Sequence, residues 1–185
     1  MLTLITAADP HAPIDAASQW VLRFADHVVP GGNVLDVACG GGRHARLFAD
    51  RGHHVDALDR DIDQLSATLL VQPADITPVQ VDIEAGAWPF PGVRYAAVVV
   101  TNYLHRPLFP LLLAAVEPGG LLIYETFALG NEQHGRPSRA EFLLQPGELL
   151  DAVRADFKVL AYENGYVATP KAAVVQRVAA RRSVT

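Results

Sequence analysis

The chain has a single cysteine, Cys39, so no internal disulfide can form, and a reducing, cytoplasmic setting is the expectation. No run of 18 apolar residues is present, which leaves no candidate membrane span. The opening MLTLITAADPHAP has no lysine or arginine and does not read as a signal peptide. Charge is sparse: 19% of residues are charged and the net charge is −5, so a broad basic surface for nucleic acid is not expected. Arg177, Arg181 and Arg182 gather positive charge late in the chain, and this reads as a solvated strand end. Internal repeats, low-complexity tracts and the G-x-x-x-x-G-K-[ST] phosphate loop are all missing. What remains is 185 residues, half of them apolar, which suits one folded domain with a real core.

The most informative segment is VLDVACGGGRHA, residues 34–45. A short apolar run carrying one acid, Asp36, breaks into Gly40, Gly41 and Gly42, and a helical stretch follows. A strand, a glycine turn and a helix make the nucleotide-binding corner of a doubly wound α/β domain. An acid just before that turn suits a ligand with a positive group better than a pyrophosphate. Cys39 in the turn reads as a small packed residue and not as a nucleophile.

The rest alternates. Helices are expected over 14–29, 43–51, 61–70, 107–116 and 146–155, and strands over 33–38, 54–58, 79–81, 95–102, 121–126, 157–163 and 172–180. AAVVVTN, ending at Asn102, is a continuous buried-strand signal. The last two strands are separated only by residues 164–171, too few for a crossover helix, so they should pair antiparallel. The expected fold is a mostly parallel seven-stranded sheet with helices on both faces and a C-terminal antiparallel hairpin. A single domain is expected over 1–185: a helical segment to 30, a cofactor-binding core over 31–126, and an acceptor-side loop, helix and hairpin over 127–185. Residues 128–144 follow no period, and long loops of this kind are often functional.

Five blocks in order, VLDVACGGGRHA, ALDRD, VDIEAGAWPF, VVVTNYLHRP and VEPGGLLIYET, resemble the class I S-adenosylmethionine-dependent methyltransferases, in particular the small bacterial proteins of the tellurite-resistance and small-molecule type. The resemblance implies a Rossmann-like fold and S-adenosylmethionine as cofactor. It implies cofactor contacts from Asp36, Ala38, Cys39, Gly40 and Gly42 in the turn, from Asp59 and Arg60 after strand two, from Asp82 and Ile83 after strand three, and from Thr101 and Asn102 after strand four. Asp36 can accept from the cofactor's ammonium or hold the glycine loop. Asp59, 23 residues on, suits ribose hydroxyls. Asp82 would bond the adenine amino group, with Ile83 on the ring face. The family often has glycine where Ala38 stands and Phe-Asp where Tyr95-Ala96 stands. The segment Asn102-Tyr103-Leu104-His105 lacks the Asn-Pro-Pro-Tyr of amino-methylating enzymes for DNA and protein, which points to a small-molecule acceptor.

Methyl transfer from a sulfonium releases a neutral leaving group, so positioning and water exclusion can carry it, with a base needed only for a protonated acceptor. His105 is the candidate base, Tyr103 a second candidate, and Asn131, Glu132, His134 and Arg136 are candidates for acceptor binding. No metal site is expected, because His53-His54 has no partner at ligand spacing. Two other classes stay open. A protein could hold the cofactor or its demethylated product without chemistry. A nicotinamide dehydrogenase is the less favoured alternative: Gly40 to Ala45 satisfies G-x-G-x-x-A, but no Tyr-x-x-x-Lys pair and no separate substrate domain accompany it. The expected partner is a small-molecule acceptor, with no nucleic acid or membrane, on a monomer or homodimer.

Overall fold

A computed structural model describes residues 16–184. The strands are β1 Val34–Val37, β2 Val55–Asp59, β3 Ile76–Gln80, β4 Tyr95–Thr101, β5 Val116–Phe127, β6 Phe157–Val167 and β7 Ala173–Arg182. The α-helices are α1 Gln19–Ala25, α2 Arg43–Ala49, α3 Asp63–Val71, α4 Phe109–Ala115 and α5 Glu148–Val153. One sheet runs in the order β3-β2-β1-β4-β5-β7-β6. Its first five strands pair in parallel, and β7 runs antiparallel between β5 and β6. The chain winds outward from β1 to β3 and then restarts at β4 beside β1. Sheets of this kind bind ligands at that reversal, outside the carboxyl ends of the strands.

The central strands are buried at every position, as a parallel sheet covered on both faces requires. Trp20 and Phe24 of α1, Phe48 of α2 and Leu65 of α3 pack on one face against Val34, Ala97, Val99 and Ile123. Leu112 of α4 and Leu149 and Val153 of α5 pack on the other against Leu35, Val98, Leu122 and Tyr124. Phe48 is 0% and Leu112 1% exposed, and burying each such side chain stabilises the fold by about 1.5–3 kcal/mol.

The elements differ from expectation where local chemistry overrides the pattern. The first helix starts at Gln19 because Ser18 caps it, its Oγ accepting from Trp20 N–H at 3.1 Å. Ile14, the expected start of that helix, lies outside the described residues. The third strand sits earlier than 79–81 and contains Pro78, tolerated because β3 is at the sheet edge. The segment at Pro107 opens as a 3-10 turn, Arg106–Leu108, before α4. Val116 already pairs with Tyr95, so Pro118-Gly119-Gly120 forms an irregularity inside β5, with Gly119 at φ +81°. The fifth helix is confined to Glu148–Val153. The aperiodic stretch after β5 is built of two 3-10 turns, Asn131–Gln133 and Ala140–Phe142, closed by pairing of Ala128 with Leu144.

Candidate functional site

Parallel pairing brings the carboxyl-terminal parts of five strands to one edge. Val37 aligns with Leu58 and Val100, Asp59 with Gln80, and Thr101 with Glu125. The turn at 38–42, the acids after β2 and β3, and residues 101–106 therefore converge there.

The turn is left-handed at Ala38 (φ +54°), Gly40 (+53°) and Gly42 (+78°). An L-residue at Ala38 bears about 1 kcal/mol of strain that glycine would not. A side chain on Gly42 would come within 2.5 Å of Leu65 Cδ1, so glycine there lets α3 approach the turn. A side chain on Gly40 would meet nothing within 4 Å, so that part of the turn faces open space. Gly40 N–H donates to Asp59 Oδ2 at 2.8 Å, and Asp61 N–H donates to Oδ1 at 3.1 Å. Asp59 is thus fastened against the turn with both oxygens engaged. Arg60 is exposed, and its carbonyl accepts from Gln80 Nε2 at 3.1 Å. Cys39 is buried, and burial followed by the charges of Asp36 and Asp59 pushes its thiol up, which opposes thiolate chemistry.

Asp36 is 1% exposed, and its Oδ2 accepts from Ala45 N–H at 2.9 Å. Helix α2 has no side-chain cap of its own, so Asp36 serves its first turn from the strand beneath. Asp36 therefore braces the glycine loop from below. Burial pushes its carboxyl up to about 7 against the opposing pull of Ala45 N–H and Arg43. The folded protein then keeps a proton on Asp36 between about pH 4 and 7 that the unfolded chain has released, so this group's contribution to stability falls as pH rises through that window. A neutral amide side chain at this position would mimic the protonated acid. Asp36→Asn is expected to leave stability unchanged near pH 4 and raise it by up to about 4 kcal/mol at pH 8, read from thermal melts across that range. Parallel pH profiles for the two proteins would count against this account.

His44 is buried, and Ser18 N–H donates to its Nε2 at 3.1 Å. The ring proton therefore sits on Nδ1, 3.3 Å from Thr101 Oγ1. Burial, reinforced by Arg43, pushes its pKa down to about 3. Ser18 Oγ donates to Glu125 Oε1 at 2.8 Å, and Arg177 pairs with the other oxygen of Glu125. This network ties the entry to α1 onto the ends of β4 and β5.

Across the edge, Asp82 Oδ1 accepts from Glu84 N–H (3.0 Å) and Ala85 N–H (3.3 Å), shaping the turn that presents Ile83, itself half-buried against the core. Asn102 is left-handed (φ +55°), and its N–H donates to Glu125 O at 2.9 Å. Tyr103 follows, with its carbonyl held by Tyr124 Oη at 2.9 Å. Its own hydroxyl is buried beside the Glu84 carboxylate. Burial and the neighbouring Glu84 push that phenol up. His105 Nδ1 lies 3.7 Å from Glu84 Oε2.

The loop candidates separate. Asn131 is 1% exposed; its Nδ2 donates to Pro137 O (2.9 Å) and its Oδ1 accepts from Val174 N–H (3.1 Å), so it fastens the loop to β7. Glu132 Oε2 accepts from Gly130 N–H at 2.8 Å. The exposed His134 ring lies 5.1 Å from Tyr166, and Arg136 is exposed. Among the described residues, no group of three or more His, Cys, Asp or Glu is placed to hold a metal ion. Sequence reasoning passes over Glu84, His44 and Glu125 and reads Arg177 as part of a solvated strand end, whereas its side chain is largely buried and paired with Glu125. Each acts through a partner distant in the chain or on another element, and no spacing signals it.

Residues 34–120 match the family described as "Methyltransferase domain". Over 116 residues the chain is 32% identical to 2-methyl-6-phytyl-1,4-hydroquinone methyltransferase of Synechocystis; the match covers 60% of this chain and 36% of the relative. The chain thus spans about a third of that curated relative's length. Among solved structures, TehB from Haemophilus influenzae superposes with a TM-score of 0.74 at 20% identity, over 88% of this chain and 61% of TehB. The 1,6-didemethyltoxoflavin-N1-methyltransferase of Burkholderia thailandensis, solved with 1,6-didemethyltoxoflavin and S-adenosylhomocysteine bound, superposes with a TM-score of 0.66 at 18% identity, over 89% of this chain and 77% of that one. The methyltransferase-domain match runs through the glycine turn and strands β1 to β4, and the solved structures share the Rossmann-like methyltransferase fold.

Proposed function

We propose that this chain is an enzyme that transfers a methyl group from S-adenosylmethionine to a small-molecule acceptor. The observation that carries the reading is the glycine turn at the sheet reversal, open to space at Gly40 and braced by the Asp59 carboxylate. The residues fit the cofactor. Asp59, Asp82 and Glu84 line the edge with negative charge, which suits a sulfonium and an ammonium. The Tyr103 hydroxyl is buried at this edge beside the Glu84 carboxylate. Both the hydroquinone methyltransferase and the toxoflavin enzyme are named for small molecules, which supports an acceptor of that class.

When bound, the cofactor supplies an electrophilic methyl group whose leaving group is a neutral thioether. Asp59 would take the ribose hydroxyls, Asp82 the adenine amino group, and Ile83 the ring face. Gly40 and Gly42 admit the methionine portion, with Ala38, Cys39 and Arg60 flanking it, while Asp36 holds the loop and Thr101 and Asn102 close the strand end. His105 takes a proton from an acceptor that carries one, and Glu84, 3.7 Å from its Nδ1, orients the ring. Glu132, His134 and Arg136 contribute the acceptor-facing surface, and Asn131 keeps them in place.

Calorimetric titration with S-adenosylmethionine tests this reading. Binding on a micromolar scale, with none for NADH, is the expected result; the reverse preference removes the assignment. With an acceptor found by a metabolite screen for S-adenosylhomocysteine release, His105→Ala is expected to lower kcat by about 100-fold while the cofactor Kd holds. Unchanged turnover removes His105 from the mechanism.

A further inference from the structure

We infer that Arg106 is a positioning residue that joins the end of β4 to the acceptor-side loop, so that cofactor binding on one side tightens the loop on the other. The inference rests on the proposed function. Arg106 follows His105 directly and stands three residues after Tyr103. Its guanidinium makes four hydrogen bonds: Nε to Glu148 Oε1 (2.6 Å), Nη2 to Glu148 Oε2 (3.0 Å), Nη2 to Leu143 O (2.9 Å) and Nη1 to Glu141 O (2.7 Å). One planar fork thus holds a carboxylate and two carbonyls that lie 35–42 residues away in sequence. Bidentate pairing of this kind is geometrically specific, and lysine cannot reproduce it.

The returning limb of the loop is locked around that fork. Glu148 Oε2 also accepts from Gln145 N–H at 2.8 Å. Burial pushes the Glu148 carboxyl up, but Arg106 and Gln145 outweigh it and hold it below the usual range. The fully buried Gln176 of β7 accepts from Leu149 N–H (2.7 Å) and donates to Gln145 O (2.9 Å). The outgoing limb is fastened by Asn131 to Val174 of β7. Only residues 132–140 lie between the fasteners, and these include Glu132, His134 and Arg136. Both fasteners on β7 belong to the rigid sheet. Arg106 is the one that belongs to the segment carrying Tyr103 and His105. Contact of the cofactor with that segment therefore reaches the loop through Arg106 and tightens limbs that are already fastened without it.

Amide hydrogen exchange on the full chain tests this without a known acceptor, with S-adenosylhomocysteine as the probe. In the wild type, the probe is expected to slow exchange at residues 38–42, at 102–106 and at 141–144. In Arg106→Lys, slowing at 38–42 is expected to persist, while residues 141–144 exchange about ten-fold faster than in the liganded wild type. Glu148→Gln, which keeps the side-chain shape and removes the charge, is expected to show the same split to a smaller degree. Equal protection at 141–144 in all three proteins overturns the inference. So does loss of protection at 38–42 in the variants, because Arg106 would then merely maintain the fold. If the wild type shows no slowing at 38–42, the cofactor reading itself fails and takes this inference with it.

Discussion

Asp59→Ala is expected to weaken S-adenosylhomocysteine binding by about 100-fold. A hydrogen bond to a charged group is worth about 1.5–3 kcal/mol, and two ribose hydroxyls on one carboxylate exceed the roughly 2.7 kcal/mol that 100-fold requires. The same change releases Gly40 N–H and Asp61 N–H, now held at 2.8 and 3.1 Å, so the glycine turn loses its brace as well. Asp59→Asn separates the two effects. Its remaining oxygen can serve one partner, and its affinity is expected to fall between those of the other two proteins. Calorimetry gives the affinities and thermal melts report the cost to the turn. Wild-type affinity in Asp59→Ala would falsify the role given to this acid.

The largest loss of stability is expected from Arg177→Ala. The side chains of Glu125 and Arg177 are 9% and 16% exposed, and their pair joins β5 to β7 beneath the entry to α1. Arg177 also lies 3.2 Å from Glu163 and 5.9 Å from the Trp20 ring centre. Removing the cation leaves Glu125 charged and enclosed, with a hydrogen bond from Ser18 Oγ and the more distant charge of Arg43. Breaking a buried pair from one side costs about 3–5 kcal/mol, which in a domain of this size lowers Tm by about 10 °C. Pairing the change with an apolar partner, as Glu125→Leu with Arg177→Met, is expected to recover most of that loss, because no lone charge remains. A single variant melting within about 1 °C of wild type would show that the pair carries no weight.

Much of this architecture is readable in the residues. AAVVVT can only be an enclosed strand, and the short spacer before the last strand forces a hairpin. The triple glycine after an apolar run locates the turn. Other features have no linear signature. Arg106 and Glu148 meet across 42 residues, and Glu125 and Arg177 meet through strand register; neither pairing has a period. Asp36 is open to two roles in the sequence because an acid before a glycine turn can face a ligand or a helix. The fold turns it beneath α2, where Ala45 N–H needs a partner. The third strand starts before its apolar pattern suggests because Pro78 looks like a break, and only its place at the sheet edge makes it acceptable. The loop after β5 has no regular spacing because it is held by side chains, not by a repeating ladder.

Strand β7 is threaded between two strands made before it. During synthesis β6 leaves the ribosome with no neighbour, since the segment that will join it to β5 has yet to be translated. Until residues 173–182 emerge, the nascent chain carries two open strand borders at once, one on β5 and one on β6. Such borders invite pairing with other chains. A chain released before residues 173–182 are made keeps both borders open and is far more prone to clump than one that carries β7.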